Sequence, residues 1–575
     1  MPMKRLISAG WAAWLAIVLC ALAPAPGFGA EDPPPARPAA DDWPWWRGPN
    51  RDDIMPPGPA AAAAMGAAGR GLLAAPATAP AGFRRRGFYL HGSWVFNYPF
   101  AVRTWKREDF AGMFRVLRLL GFDTVMMWPT LEAAPMPLSD ADAAAIRAYR
   151  DVIADAQKAR LTCWIASCPC VISGEQVRPT PWAKRSLYAS MKTVRLDSPQ
   201  ADAYLRHRQA VVRLLDNADA LVVIDGDPGG WAGAPPEAFV RLLRGDMRAM
   251  GTKPVIPWIW NGWGRDCSKG GFWAQPVEPH TRACLEALKA ALPPGFELMP
   301  GRSHRDGHAN GRVNIQQADK AGLIAQSTLM CYEAIEFEPS PPAAVLQFDL
   351  IRKSLREEAG YAPVARGVFG NAQQPIMVLP NLFFFARAAA DLRYLDRSDA
   401  DVLSDLAAAL GGPADMLVPA WSCLARTLAD LPADLPARLR SLKLDSELAR
   451  SLPGGPARYV EILAAQVASR RGVLEAAAEK PADAAQAAAT LARGAAAAIS
   501  WWNVHRYVGA GNTGDPFAWQ FLHHSLTGPL RDLARRCNAM GERGTVVEQA
   551  ANLLARRDVL PPEQTIARLT EIAGK

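Results

Sequence analysis

Gly87-Phe88-Tyr89-Leu90-His91-Gly92-Ser93, then Phe110, Met113, Phe114, Leu117 and Leu120 at intervals of three and four, then Phe122-Asp123-Thr124-Val125-Met126-Met127-Trp128, is the passage on which the fold turns. The outer segments are short and rich in aromatic and β-branched residues, as strands of a sheet covered on both faces are. The middle segment repeats its apolar residues once per helical turn, so it presents one face to a core. Strand, helix and strand in this order make one unit of a parallel sheet with a crossover helix.

The unit recurs along the chain. Apolar runs predict strands at Gly87–Ser93, Phe122–Trp128, Leu161–Ser167, Ala220–Asp225, Lys253–Trp260, Phe296–Arg302, Ser327–Glu333 and Ala362–Gly370, each followed by a helix-sized segment. Ile146, Tyr149, Val152 and Ile153 repeat the helical spacing, and Ser198-Pro199 and Ser340-Pro341 place a capping hydroxyl before a proline at the first helical position. Eight such units predict an α/β fold, a (β/α)8 TIM barrel over residues 83–395, with an open doubly wound sheet as the alternative. From 396 to 575 strand-like runs give way to Ala- and Leu-rich helical patterns broken at Gly411-Gly412-Pro413 and Pro453-Gly454-Gly455-Pro456, so an all-α C-terminal domain is expected.

Residues 1–30 follow the secretory pattern: Lys4 and Arg5, an apolar stretch from Trp11 to Leu22, and a small-residue exit through Ala30. The stretch is too short to span a hydrocarbon core of about 30 Å. An exported protein, periplasmic or secreted, is expected. Residues 31–82 are dominated by Pro, Ala and Gly and read as a flexible linker, interrupted by the tryptophan-rich island Trp43-Pro44-Trp45-Trp46. The net charge of +8 is spread over scattered arginines, with no basic block longer than Arg84-Arg85-Arg86, so nucleic-acid binding is not indicated. The nine cysteines match no disulfide framework or zinc spacing, and Cys168-Pro169-Cys170 lacks the two intervening residues of a redox pair.

In a (β/α)8 barrel, chemistry sits at the C-terminal ends of the strands. The fourth strand ends in Asp225-Gly226-Asp227, and residues two apart on a strand point the same way, so both carboxylates face one site if the strand continues. An Asp-Gly turn followed by a helix-capping aspartate is the structural reading of the same residues. The seventh strand ends in Tyr332-Glu333, with Glu336 and Glu338 in the loop behind it; the fifth ends in Trp260-Asn261-Gly262-Trp263. Carboxyls from strands four and seven form a pair able to hydrolyse a glycosidic bond, one protonating the leaving oxygen and the other attacking or activating water. Glu333 as a salt-bridge partner of an arginine is the competing role. Tryptophans 128, 260 and 263 offer flat faces to sugar rings, and Asn371 and Gln373, placed after the eighth strand, offer hydrogen bonds to hydroxyls. His304, Asp306 and His308 raise a zinc alternative in a loop that otherwise reads as surface.

Arg86-Gly87-Phe88-Tyr89-Leu90-His91 resembles the Arg-Gly-x-x-Leu-Asp opening of glycoside hydrolase family 20, the β-N-acetylhexosaminidases, and Ile224-Asp225-Gly226-Asp227-Pro228 resembles that family's Ile-Gly-Gly-Asp-Glu. The resemblance implies that Arg86 holds sugar hydroxyls and that Asp227 steadies an acetamido group. Pro228 stands where the family's general acid glutamate is expected, so the acid falls to Asp225 or Glu333.

The reading is an exported glycoside hydrolase-like protein acting on a polysaccharide or glycoconjugate. Asp225, Asp227 and Glu333 are its catalytic candidates, and Arg86, His91, Trp128, Trp260, Asn261, Trp263, Tyr332, Asn371 and Gln373 its substrate-binding ones. It needs no cofactor and no metal. A non-catalytic barrel that binds carbohydrate or protein is the alternative.

Overall fold

The computed structural model describes residues 82–92, 98–185, 191–225, 236–259, 277–303, 310–336, 346–422, 432 and 434–505. Eight parallel strands close into a ring: β1 (Arg85–Leu90), β2 (Thr124–Met127), β3 (Thr162–Ser167), β6 (Ala220–Ile224), β7 (Val255–Ile259), β8 (Met299–Ser303), β9 (Thr328–Tyr332) and β10 (Gly367–Ala372). They are ordered β1-β10-β9-β8-β7-β6-β3-β2, so the first strand pairs with both the second and the last. Strands β4 (Val171–Ser173) and β5 (Met191–Thr193) form a separate antiparallel pair in the segment that follows β3. The expected (β/α)8 barrel is present, and the open-sheet alternative is excluded by closure of the ring.

Alternation along each strand divides two cores. Tyr89, Met126, Trp128, Trp164, Ala166, Cys168, Val222, Ile224, Ile256, Trp258, Met299, Met330, Tyr332 and Phe369 fill the lumen. Their neighbours pack outward against the helices. The lumen is a packed core rather than a pore: Trp164 stacks on Phe369 with centroids 5.0 Å apart, and Tyr89 meets Trp258 edge-on at 5.5 Å. Gly87 makes room for this stack, since a Cβ there would lie 2.0 Å from the Phe369 ring.

The helix Arg107–Leu120 begins where Asp109 accepts the Lys106 N–H at 2.9 Å and ends at Gly121, whose φ of 100° only glycine adopts without strain. Met113, Phe114, Leu117 and Leu120 are buried, as their spacing requires. The last strand differs from expectation. Residues 362–366 form turns after the 3-10 segment Ala359–Tyr361, and Val364 is half exposed. The strand begins only at Gly367, which puts Asn371 within it rather than after it.

Among the described residues beyond 399 no strand occurs, and helices include Asp399–Leu410, Gly455–Ala478 and Ala484–His505. The segment from the short helix Glu447–Arg450 to Gly454 packs on the barrel's first helix. A Cβ on Gly112 would lie 2.5 Å from the Ser451 carbonyl, and Asp109 accepts hydrogen bonds from the Tyr98 hydroxyl at 2.9 Å and the Gly454 N–H at 3.1 Å. Leu379–Ala390 is apolar on nearly every side because the barrel and the helix Asp399–Leu410 cover it from different directions.

Candidate active site at the C-terminal mouth

The two ends of the barrel carry different chemistry. At the N-terminal end, Arg85 pairs with Glu297, donates to the Thr328 hydroxyl at 2.9 Å, and lies 4.8 Å from the centroid of the Trp164 ring. Arg366 meets the other Glu297 oxygen at 2.9 Å. These groups satisfy one another and close the floor. Arg86 belongs to this end too. It is the second residue of β1, faces outward, and sits with its Nε 3.7 Å from Asp123, which also accepts the Arg86 N–H at 3.0 Å. The sugar-holding role that the family 20 resemblance implies for Arg86 does not fit this placement, because strand direction sets Arg86 a whole barrel height from the mouth.

At the opposite end Trp128 and His91 meet edge to face at 5.1 Å, and His91 lies 5.2 Å from Tyr89. Burial lowers the His91 pKa to about 3, so the imidazole is neutral at ordinary pH. The Trp128 indole donates to Glu132 at 2.9 Å. Glu132 lies in the turn Leu131–Ala133 that follows β2, and it also accepts the Ser167 hydroxyl at 2.9 Å and the Cys168 N–H. Behind it Arg208 holds Asp246 through Nε at 2.9 and 3.1 Å, and donates to the Ser167 Oγ at 2.9 Å and the Cys168 carbonyl at 2.8 Å. Burial pushes the Glu132 pKa up; its hydrogen bonds and the Arg208 charge pull the other way. A cavity bordered by Glu132, Ser167, Tyr204, His207 and Arg208 lies between the helix Ala201–Arg213 and the segments after β2 and β3, and backs this network. Glu132 stands five residues beyond β2, past the strand ends on which sequence reasoning concentrated.

The loops after β9 and β10 exchange side-chain-to-backbone bonds. Glu333 has a φ of 63°, a left-handed conformation that turns its N–H onto the Asn371 Oδ1 at 2.7 Å. In return Glu336 Oε2 accepts the N–H groups of Gln373 at 2.7 Å and Gln374 at 2.8 Å. Glu336 Oε1 and Asn371 Nδ2 find no hydrogen-bond partner among the described residues, although their side chains are only 2% and 1% exposed. Desolvation by burial, opposed by the two backbone hydrogen bonds, raises the Glu336 pKa to about 7. A carboxyl that keeps its proton near neutrality, with one oxygen held and the other unclaimed, can act as a general acid. The cluster Tyr332-Glu333-Glu336 was visible in the sequence, but only burial distinguishes Glu336.

Glu333 and Gln373 are buried at this end, and Tyr332 lies just beneath, its ring 5.9 Å from Trp258. Asp225 goes elsewhere. Ile224 occupies the lumen, so Asp225 turns to the helix layer, where its charge adds to burial in pushing the Cys284 thiol upward. Asp227, Trp260, Asn261 and Trp263 lie outside the described residues, as do His304, Asp306 and His308. Among the described residues no cluster of three or more His, Cys, Asp and Glu is arranged to hold a metal.

No protein-family model matches the chain, and no curated protein is similar to it in sequence. Among solved structures, CpGH84B aligns with a TM-score of 0.41 at 9% identity over 83% of this chain and 77% of its own. A GH138 enzyme targeting pectin rhamnogalacturonan II aligns with a TM-score of 0.41 at 12% identity over 80% and 68%. A mutant of Thermobaculum terrenum O-GlcNAc hydrolase aligns with a TM-score of 0.39 at 13% identity over 85% and 96%. Likeness at so low an identity carries no residue role across.

Proposed function

We propose that this chain is an exported glycoside hydrolase acting on a polysaccharide or glycoconjugate, with Glu336 as its proton donor. The observation that carries the proposal is the setting of Glu336: a buried carboxyl at the C-terminal mouth with Oε2 held by two N–H groups and Oε1 unclaimed, where burial raises the pKa to about 7. Glycoside hydrolysis requires such a group. The Glu336 proton passes to the glycosidic oxygen as the bond to the anomeric carbon breaks, and an opposing carboxylate attacks that carbon or deprotonates the water that does. Asp227, after β6 and three strands round the ring from β9, is the proposed partner. It replaces the pairing of Asp225 with Glu333, since Asp225 faces the helices. Trp128, held by Glu132 and buried against His91, supports the mouth from beneath, and Trp260, Asn261 and Trp263 are proposed to complete it.

The test is hydrolysis of a panel of chromogenic glycosides by wild type, Glu336→Gln and Asp227→Asn. Turnover by the wild type with at least a hundredfold loss of kcat in Glu336→Gln is expected. Turnover undiminished in Glu336→Gln would sink the assignment, and folded wild type that cleaves nothing would favour a barrel that only binds.

A further inference from the structure

We infer that the interlocked loops after β9 and β10 form a subsite for one neutral sugar ring, with Asn371 Nδ2 donating to an oxygen substituent of the ring and Glu336 Oε1 donating to its exocyclic glycosidic oxygen. The inference rests on the proposed glycosidase reading and adds to it a specificity residue, Asn371.

Asn371 is fixed from two directions. Its place on the lumen side of β10, two residues after Phe369, points it toward the mouth, and the Glu333 N–H occupies its Oδ1. That bond settles which end of the amide is which: the remaining Nδ2 can only donate. A buried amide donor without a partner is costly, and such a group persists in a fold when something else takes the bond. Glu336 is fixed the same way. With two N–H groups on Oε2, the proton of the neutral acid belongs on Oε1, so this atom donates as well. Two unclaimed donors, carried at the ends of the paired strands β9 and β10, select a ligand with acceptor oxygens on neighbouring positions, as a neutral pyranoside has. Tyr332, Trp258 and Tyr89 line the lumen immediately below and leave the ring no deeper place to go.

One variant and one resonance separate this role from a structural one. Asn371→Asp keeps an oxygen for the Glu333 N–H and turns the donor into an acceptor. The probes are both anomers of the methyl glycosides of glucose, galactose, mannose and N-acetylglucosamine, titrated at pH 6 by saturation-transfer NMR against full-length protein whose folding is checked by circular dichroism. Binding of at least one by wild type is expected, about tenfold or more weaker in Asn371→Asp. As a second readout, the side-chain amide resonance of wild type that is missing from the Asn371→Asp spectrum shifts on adding the sugar, which does not require the variant to be stable. No binding by wild type, equal binding by Asn371→Asp, or an amide resonance that stays put overturns the subsite. Binding that follows the expected pattern without turnover of any glycoside keeps the subsite and removes the hydrolase; turnover with equal binding by Asn371→Asp does the reverse.

Discussion

Replacing Glu336 by Gln isolates the energetic consequence of holding a carboxyl at the mouth. Glutamine preserves shape and contacts, because its carbonyl takes the Gln373 and Gln374 N–H groups and its amide nitrogen stands where Oε1 was. In the folded chain burial moves the Glu336 pKa from the ordinary 4.5 to about 7. Between those values the unfolded chain has lost its proton and the folded chain has not, so stability falls as pH rises and the loss is complete above the folded value. At about 1.4 kcal/mol per pH unit, that interval amounts to roughly 3 kcal/mol. Glutamine does not titrate, so Glu336→Gln should match wild type within about 0.5 kcal/mol at pH 4.5 and exceed its stability by roughly 3 kcal/mol at pH 8. His91, neutral in the fold down to about pH 3, titrates alike in both proteins and cancels from the difference. Urea unfolding at the two pH values measures it. A stability difference that is the same at pH 4.5 and pH 8 would refute the reasoning, since it would mean that Glu336 ionises in the fold as it does in the unfolded chain.

Gly87→Ala sets a methyl against the Phe369 ring and should cost about 1–3 kcal/mol by thermal unfolding, with most of the loss recovered in Gly87→Ala/Phe369→Leu. Arg208→Met strands Asp246 in a buried site and should lower stability by about 3–5 kcal/mol in urea, whereas Arg208→Met combined with Asp246→Leu should restore most of it. If both variants lose the same amount, the pair is not coupled. In an exporting host, N-terminal sequencing of the mature protein should begin near Ala30 or Glu31; a protein that keeps Met1 would remove the export proposal.

The barrel was legible in the amino-acid order because it is written in local periods. Apolar runs such as Thr124–Met127 and Ala220–Ile224 are buried on both faces whichever strands flank them, and Met113, Phe114, Leu117 and Leu120 show one helical face wherever that face docks. Direction along a strand is local too, so the C-terminal ends could be searched for chemistry, and Tyr332, Glu333 and Asn371 were found there. Which way a side chain turns at a strand end is not local. Asp225, the residue after Ile224, turns to the helix layer because closure of the ring commits Ile224 to the lumen, and Arg86 stays at the floor because β1 begins at Arg85 and Asp123, just before β2, binds it. Glu336 is one of several acids in its loop by sequence. Its proton depends on burial and on two N–H groups that lie 37 and 38 residues further along, brought to it only when β9 and β10 pair in the closed ring. A residue's alternation is a property of its neighbours in the chain, whereas its ionisation is set by what excludes water from it, and that is decided in three dimensions.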